Sequence, residues 1–186
     1  MKKLVIKTTL ITLACLIGAL VITISALCLF APATMAGFFD DVGNYSASVF
    51  FYEKQYEKTG DIEDLDKLIL KVDVAGDTVR TEKYVKQLIE HKDFKTFLMA
   101  DREYYYGCYA LSLARNGKFD DAVKVGQDFV SENGYTALNP LRVLITDFVT
   151  DNMTEQKVKL ALAITQTTNV SIEQNVYKVA DLIKLS

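Results

Sequence analysis

From Thr8 to Phe39 this chain carries no charged side chain, and that stretch limits what the rest can be. Within it, Leu10–Phe30 (LITLACLIGALVITISALCLF) is 21 residues long and almost wholly apolar. Wound as a helix it spans roughly 31 Å, the thickness of a bilayer's hydrocarbon core. The expectation is a transmembrane helix that places everything behind it in one compartment. Lys2, Lys3 and Lys7 precede the run, and Asp40 and Asp41 come after it. By the positive-inside rule the N-terminus is cytoplasmic and residues 34–186 lie outside the cytoplasmic membrane, single-pass.

A cleaved signal peptide is the alternative, leaving a secreted helical protein. Ala31-Pro32-Ala33 has the small-x-small form of a cleavage site, and Thr34-Met35-Ala36 is a second one. The apolar core is longer than the roughly 7–15 residues usual in such signals, which favours an uncleaved anchor. Leu13-Ala14-Cys15 falls too early for a lipoprotein box. Both alternatives deliver residues 34–186 to the same side.

The lysines ahead of the run mask the acidity of the chain behind it. Residues 34–186 hold 18 basic and 24 acidic groups, net −6. That balance argues against nucleic acid, whose binding needs Lys and Arg to displace counterions. Cys15 and Cys28 sit in the apolar run, which leaves Cys108 alone and without a disulfide partner. It reads as a small buried apolar residue.

The rest reads as all-α. Two Pro and nine Gly in 186 residues suit long helices better than a turn-rich sandwich. Pro32 ends or kinks the membrane helix. A helix over about 35–58 places Phe38, Val42, Tyr45, Val49, Tyr52 and Tyr56 on one face, and Gly60 stops it. Asp61 caps the next, to about Val74, with Leu65, Leu68, Ile69 and Val72 inward. A third covers about 78–91 with Tyr84, Val85, Leu88 and Ile89 together. Phe94, Phe97 and Leu98 mark a short fourth. Asp101 caps a fifth that buries Tyr106, Tyr109, Ala110 and Leu113. Residues 120–132 form a sixth, with Ala122, Val123, Phe129 and Val130 inward, between Asn116-Gly117 and Asn133-Gly134. Asn139-Pro140 starts another, a further helix runs over about 154–167, and Ser171 with Gln174 forms a capping box for the last.

Short helices in pairs call for a search for repeats. Residues 103–132 (EYYYGCYALSLARNGKFDDAVKVGQDFVSE) resemble a tetratricopeptide repeat. Tyr106, Tyr109 and Ala110 match its first helix, Gly117–Ala122 (GKFDDA) its turn, and Ala122 its small crossing residue. Val49–Val72 carries part of the pattern through Tyr52, Tyr56 and the turn Gly60–Leu65 (GDIEDL). Tyr84, Val85 and Leu88 with a turn at His91–Phe94 carry less of it. The turns at Gly60, Lys92 and Gly117 stand 32 and 25 residues apart, whereas the family repeats about every 34. Gly126 replaces a bulkier residue. The resemblance implies a short α-solenoid, with a generic helical bundle as the alternative. It also implies a groove along the first helices, near Phe50, Lys54, Lys58, Glu82, Lys86, Tyr104, Leu111 and Arg115. Several of these are basic, which suits an acidic or C-terminal partner segment.

No reaction is legible. There is no GxSxG, P-loop or GxGxxG, and a single histidine, His91, nearly excludes nucleophile–histidine chemistry. His91 fits a helix C-terminus better than a metal site. The acidic run Asp61–Asp66 lacks the ligand spacing of a calcium loop. No catalytic residue, cofactor or metal is implied. The expectation is a membrane-anchored, non-catalytic module that binds a protein or peptide. Its alternatives are a structural envelope protein associating through its membrane helix, the secreted form, and last an envelope hydrolase.

Overall fold

The computed structural model describes residues 2–134, 140–144 and 147, with side chains from Ile6 onward. Every regular element among them is helical. In chain order these are α1 (Lys2–Phe30), α2 (Pro32–Asp41), α3 (Tyr45–Thr59), α4 (Ile62–Val74) and α5 (Thr78–Ile89). A 3-10 turn (Phe94–Thr96), α6 (Met99–Arg115), α7 (Phe119–Asn133) and α8 (Pro140–Val143) complete the order. The helices expected near 154–167 and 171–183, and the Asn139 cap, lie outside the described residues. By packing the chain divides into two units, Met1–Lys71 and Val72–Ser186.

In the first unit, Ile6–Phe30 of α1 has a mean hydropathy of 2.7 and none of its most apolar window is buried. It is long and apolar enough to cross a membrane. Thr12 and Thr23 return their hydroxyls to the carbonyls of Thr8 and Ala19, at 3.0 and 2.9 Å, so neither presents an unsatisfied donor. The helix breaks at Ala31 (φ −133°, ψ 59°) and Pro32 opens α2. There its missing N–H has no helical acceptor to lose.

The single helix expected over 35–58 is two. Gly43 takes φ 73°, and the Asn44 side chain accepts from the Ala47 N–H at 3.2 Å, capping α3. A three-residue turn makes α2 and α3 an antiparallel pair, so the periodic apolar positions do not share one face. Val49 is buried, whereas Phe38, Val42 and Tyr45 are exposed. Met35, Ala36 and Phe51 form the small core between the two helices, with Cys28, Phe39 and Tyr52 packed against it.

Asp40 pins this pair from the polar side. It accepts from Ser48 Oγ at 2.6 Å and from Tyr52 OH at 3.4 Å, and Lys71 Nζ lies 2.6 Å away. Burial by itself would raise the Asp40 pKa. The bonds from Lys71 and Ser48 outweigh it and hold the carboxyl below its ordinary value. On α4, Leu65, Leu68, Ile69 and Val72 are all buried, as their spacing requires.

The second unit is built around α6, which packs against α5, α7 and α8. Asp77 caps α5 by accepting from the Arg80 N–H at 3.0 Å, and Tyr84, Val85 and Leu88 are inward. The fourth expected helix is only the 3-10 turn, with Phe94 buried and Leu98 exposed. α6 begins at Met99, two residues ahead of Asp101, which sits in its first turn rather than at the cap. Ala110 and Leu113 are buried as expected, but Tyr106 and Tyr109 are half-buried and Tyr105 takes the interior place. A helix flanked on three sides has no single buried stripe, so a reading based on one face misassigns its aromatics.

Gly117 (φ 79°) turns the chain between α6 and α7, and Ala110 and Ala122 are both fully buried in the shared core. Gly126, the residue that departs from the repeat pattern, has a structural cause. A Cβ there would stand 2.5 Å from Leu141 Cδ2 and 2.8 Å from Cγ. The missing side chain is the space that seats α8.

Candidate functional site

The α5–α6 side of the second unit holds a surface cleft of about 350 Å³. One wall is a face of α6, where Tyr104, Cys108, Leu111 and Arg115 recur at helical spacing. Asp73 and the start of α5, through Thr78 and Thr81, form the opposite wall. Val143 and Asp147 close one side, and Gly107 allows Val143 to approach to 3.2 Å from the position of a Cβ.

Of the eight residues expected along a groove, the structure gathers Tyr104, Leu111 and Arg115 here. Glu82 and Lys86 are on α5 but outside the cleft. Glu82 accepts from Lys118 Nζ at 2.6 Å and from Asn116 Nδ2 at 2.8 Å. Asn116 is in turn bonded to Thr78, its Oδ1 accepting from Oγ1 at 2.7 Å. Burial would raise the Glu82 pKa, and these donors lower it by more. The residue therefore ties the α6–α7 turn to the start of α5. Lys86 pairs with Glu90 at 3.8 Å. Phe50, Lys54 and Lys58 belong to α3 of the first unit. Lys54 meets Glu57 at 2.6 Å and lies 5.8 Å from the Phe50 ring centre, and Lys58 donates to the Phe30 carbonyl at 3.0 Å.

Asp73, Thr78, Thr81, Cys108 and Asp147 were missed as lining residues. Asp73 and Thr78 flank a chain reversal and nothing in their own neighbourhood points to α6. Cys108 carried a usable signal, since it falls on the same α6 face as Tyr104, Leu111 and Arg115. The cleft holds charges of both signs. Arg115, Asp73 and Asp147 make no ion pair or side-chain hydrogen bond among the described residues. The hydroxyls of Thr78, Thr81 and Ser112 are already committed as donors to Asn116, Asp77 and Tyr109.

No known protein family, curated protein or solved structure matches this chain. What the site can do therefore rests on its own chemistry.

Burial pushes the Cys108 thiol up to about 11, with Asp73 adding to the rise and a hydrogen bond from Tyr104 opposing it. At neutral pH it is a thiol, not a nucleophile. Its alkylation by iodoacetamide should accordingly be slow at pH 8, where roughly one molecule in a thousand is ionised, and should accelerate up to about pH 11. Peptide mapping of the modified chain reads the rate directly. Fast labelling at pH 8 contradicts the burial argument. His91 lies in the turn beyond α5, where Nδ1 accepts from the Asp93 N–H at 3.2 Å. Among the described residues no three metal-ligating side chains come together.

Proposed function

We propose that this protein is a membrane-anchored, non-catalytic helical module that captures a protein or peptide segment outside the cytoplasm. The observation that carries this reading is the α6 face. Tyr104, Leu111 and Arg115 line one cleft on a unit whose chain is led by a helix fit to cross a bilayer. Clefts of a few hundred cubic ångströms with an aromatic, an aliphatic and a guanidinium group suit anchoring side chains of a partner. The antiparallel pair α6–α7, joined by three residues and closed over Ala110 and Ala122, supports a tetratricopeptide-like reading of the second unit. The lysines ahead of α1 and the aspartates behind it support an N-terminus in the cytoplasm. The length of the apolar run supports retention as an anchor, with no cleavage near Ala33.

A photo-crosslinking side chain at Leu111 of the full-length protein tests the cleft in intact cells. Capture of a discrete partner is expected. Tyr104→Ala and Arg115→Ala should each lower its yield about tenfold, the effect of removing a contact that contributes about 1.4 kcal/mol. Both side chains are exposed, so helix content should not change. Undiminished capture by both variants rules the cleft out as the site.

A further inference from the structure

Leaving α1 aside, the first unit still exposes large apolar side chains. Phe38 is 55% and Phe50 50% exposed, one on each helix of the α2–α3 pair. Exposed apolar residues scattered singly need no explanation, but these two are the ends of one continuous row of rings. Phe38 meets Phe39 edge-on at 5.4 Å, Phe39 stacks on Phe51 at 5.5 Å, and Phe51 meets Phe50 edge-on at 5.2 Å. The row crosses the helix pair and is exposed to solvent at both ends.

Its depth is set by α1. Cys28, in the last turn of α1, packs against the same Met35, Ala36 and Phe51 cluster from which the row extends. The core of the helix pair therefore adjoins the final turn of α1. Leu29 and Phe30 of that turn are themselves 72% and 76% exposed. At about 1.5 Å per residue, Cys28 is roughly 3 Å along the axis from the end of the apolar run. That is the boundary between hydrocarbon and headgroups, where aromatic rings are enriched. The cations agree with this level. Lys58 reaches back to the Phe30 carbonyl and Lys54 stands over the Phe50 ring. Each keeps an ammonium at the edge of an apolar surface.

We propose that the α2–α3 pair is a second membrane contact, an interfacial hairpin whose Phe38 and Phe50 rings enter the headgroup–acyl boundary of the bilayer that α1 spans. The occupant is lipid because the cluster from which the row extends packs against the last turn of the spanning helix, and Lys58 of the same pair bonds to its terminal carbonyl. Lys54 is paired with Glu57, and Asp40 and Asp41 are close in sequence, so the contact needs no anionic headgroup. It rests on reading α1 as a membrane span.

The chain has no tryptophan, so single reporters are free of background. Phe38→Trp and Phe50→Trp are made in the full chain and reconstituted in phosphatidylcholine nanodiscs with or without brominated acyl chains. Leu27→Trp on α1 is the membrane standard, and Lys124→Trp on the exposed side of α7 the aqueous one. Bromolipid should quench positions 38 and 50 about twofold, as it quenches position 27, and leave position 124 unchanged. Circular dichroism confirms that each variant keeps its helix content. Acrylamide quenching at 38 and 50 with none from bromolipid, while position 27 is quenched by lipid, overturns the hairpin contact and leaves the anchor standing. Failure at position 27 as well removes the anchor and the proposal together. Shielding of 38 and 50 from both quenchers means that a second copy or another protein covers the row, and this also overturns it.

Discussion

Gly126→Leu should detach α8 and destabilise the second unit by about 3 kcal/mol, the upper end of what overpacking a filled core costs. Leu141 is 1% exposed. The first added carbon would already stand 2.5 Å from its Cδ2 and 3.3 Å from its backbone nitrogen. Rotating the Leu141 side chain clears the first contact but not the second, so α8 itself must move. Gly126→Ala tests the same contact more gently. It should cost about 1 kcal/mol net, despite the gain of nearly that amount in helix propensity. Gly37 is the control, because a Cβ there meets nothing within 4 Å. Gly37→Ala should therefore be neutral or stabilising by up to about 1 kcal/mol. Thermal unfolding of the full chain in a neutral detergent, monitored by helicity, measures all three. Equal stability for Gly126→Leu and the parent would show that α8 does not seat there.

Asp40→Ala should destabilise the first unit by about 2 kcal/mol, because it strands several donors at once. Ser48 is fully buried and donates to Asp40 at 2.6 Å. Lys71 would keep its charge beside Tyr52 with no carboxylate to meet it. The pH dependence has a definite sign. The folded-state pKa of Asp40 is lowered from 3.8, so its stabilisation is complete above that value and is lost as the pH falls through the lower folded value. The deficit of Asp40→Ala relative to the parent should thus be constant from about pH 5 to 8 and shrink below about pH 4. Denaturant titrations at pH 7 and pH 3 give the comparison. A deficit that grows on acidification contradicts the assignment of Asp40 as the ionised member of this cluster.

Where the sequence was read correctly, the cause lay within a turn or two of chain. The apolar helix follows from its own composition. Gly60 and Gly117 mark stops because a left-handed residue ends a helix wherever it stands. Pro140 opens a helix for an equally local reason. The all-helical character of the described residues needed nothing beyond periodicity and the scarcity of turn residues. The boundary at Gly43-Asn44 was also written locally, as a left-handed glycine and then a capping asparagine. It was missed because a run of aromatics at helical spacing reads straight through it.

The site was only partly legible. Tyr104, Leu111 and Arg115 share a face by spacing alone, and that much any helix displays. The carboxylates of Asp73 and Asp147 lie tens of residues away along the chain, so their presence in the same cleft as Arg115 is a product of the fold. Phe50, Lys54 and Lys58, expected along the same groove by analogy, belong to α3 of the first unit, where Lys54 lies over the Phe50 ring and Lys58 bonds to the Phe30 carbonyl.

The sequence by itself determined an N-terminal helix fit for a bilayer, a helical chain behind it and most of the places where that chain turns. Each of these depends on interactions between residues close together in the chain. Tertiary structure alone decided that Tyr105 rather than Tyr106 is interior, that Gly126 is a seat for Leu141, and that a row of phenylalanines runs across the α2–α3 pair from a core packed against Cys28. Those outcomes depend on how many helices surround a given one and from which sides, and no pattern along a single helix carries that information.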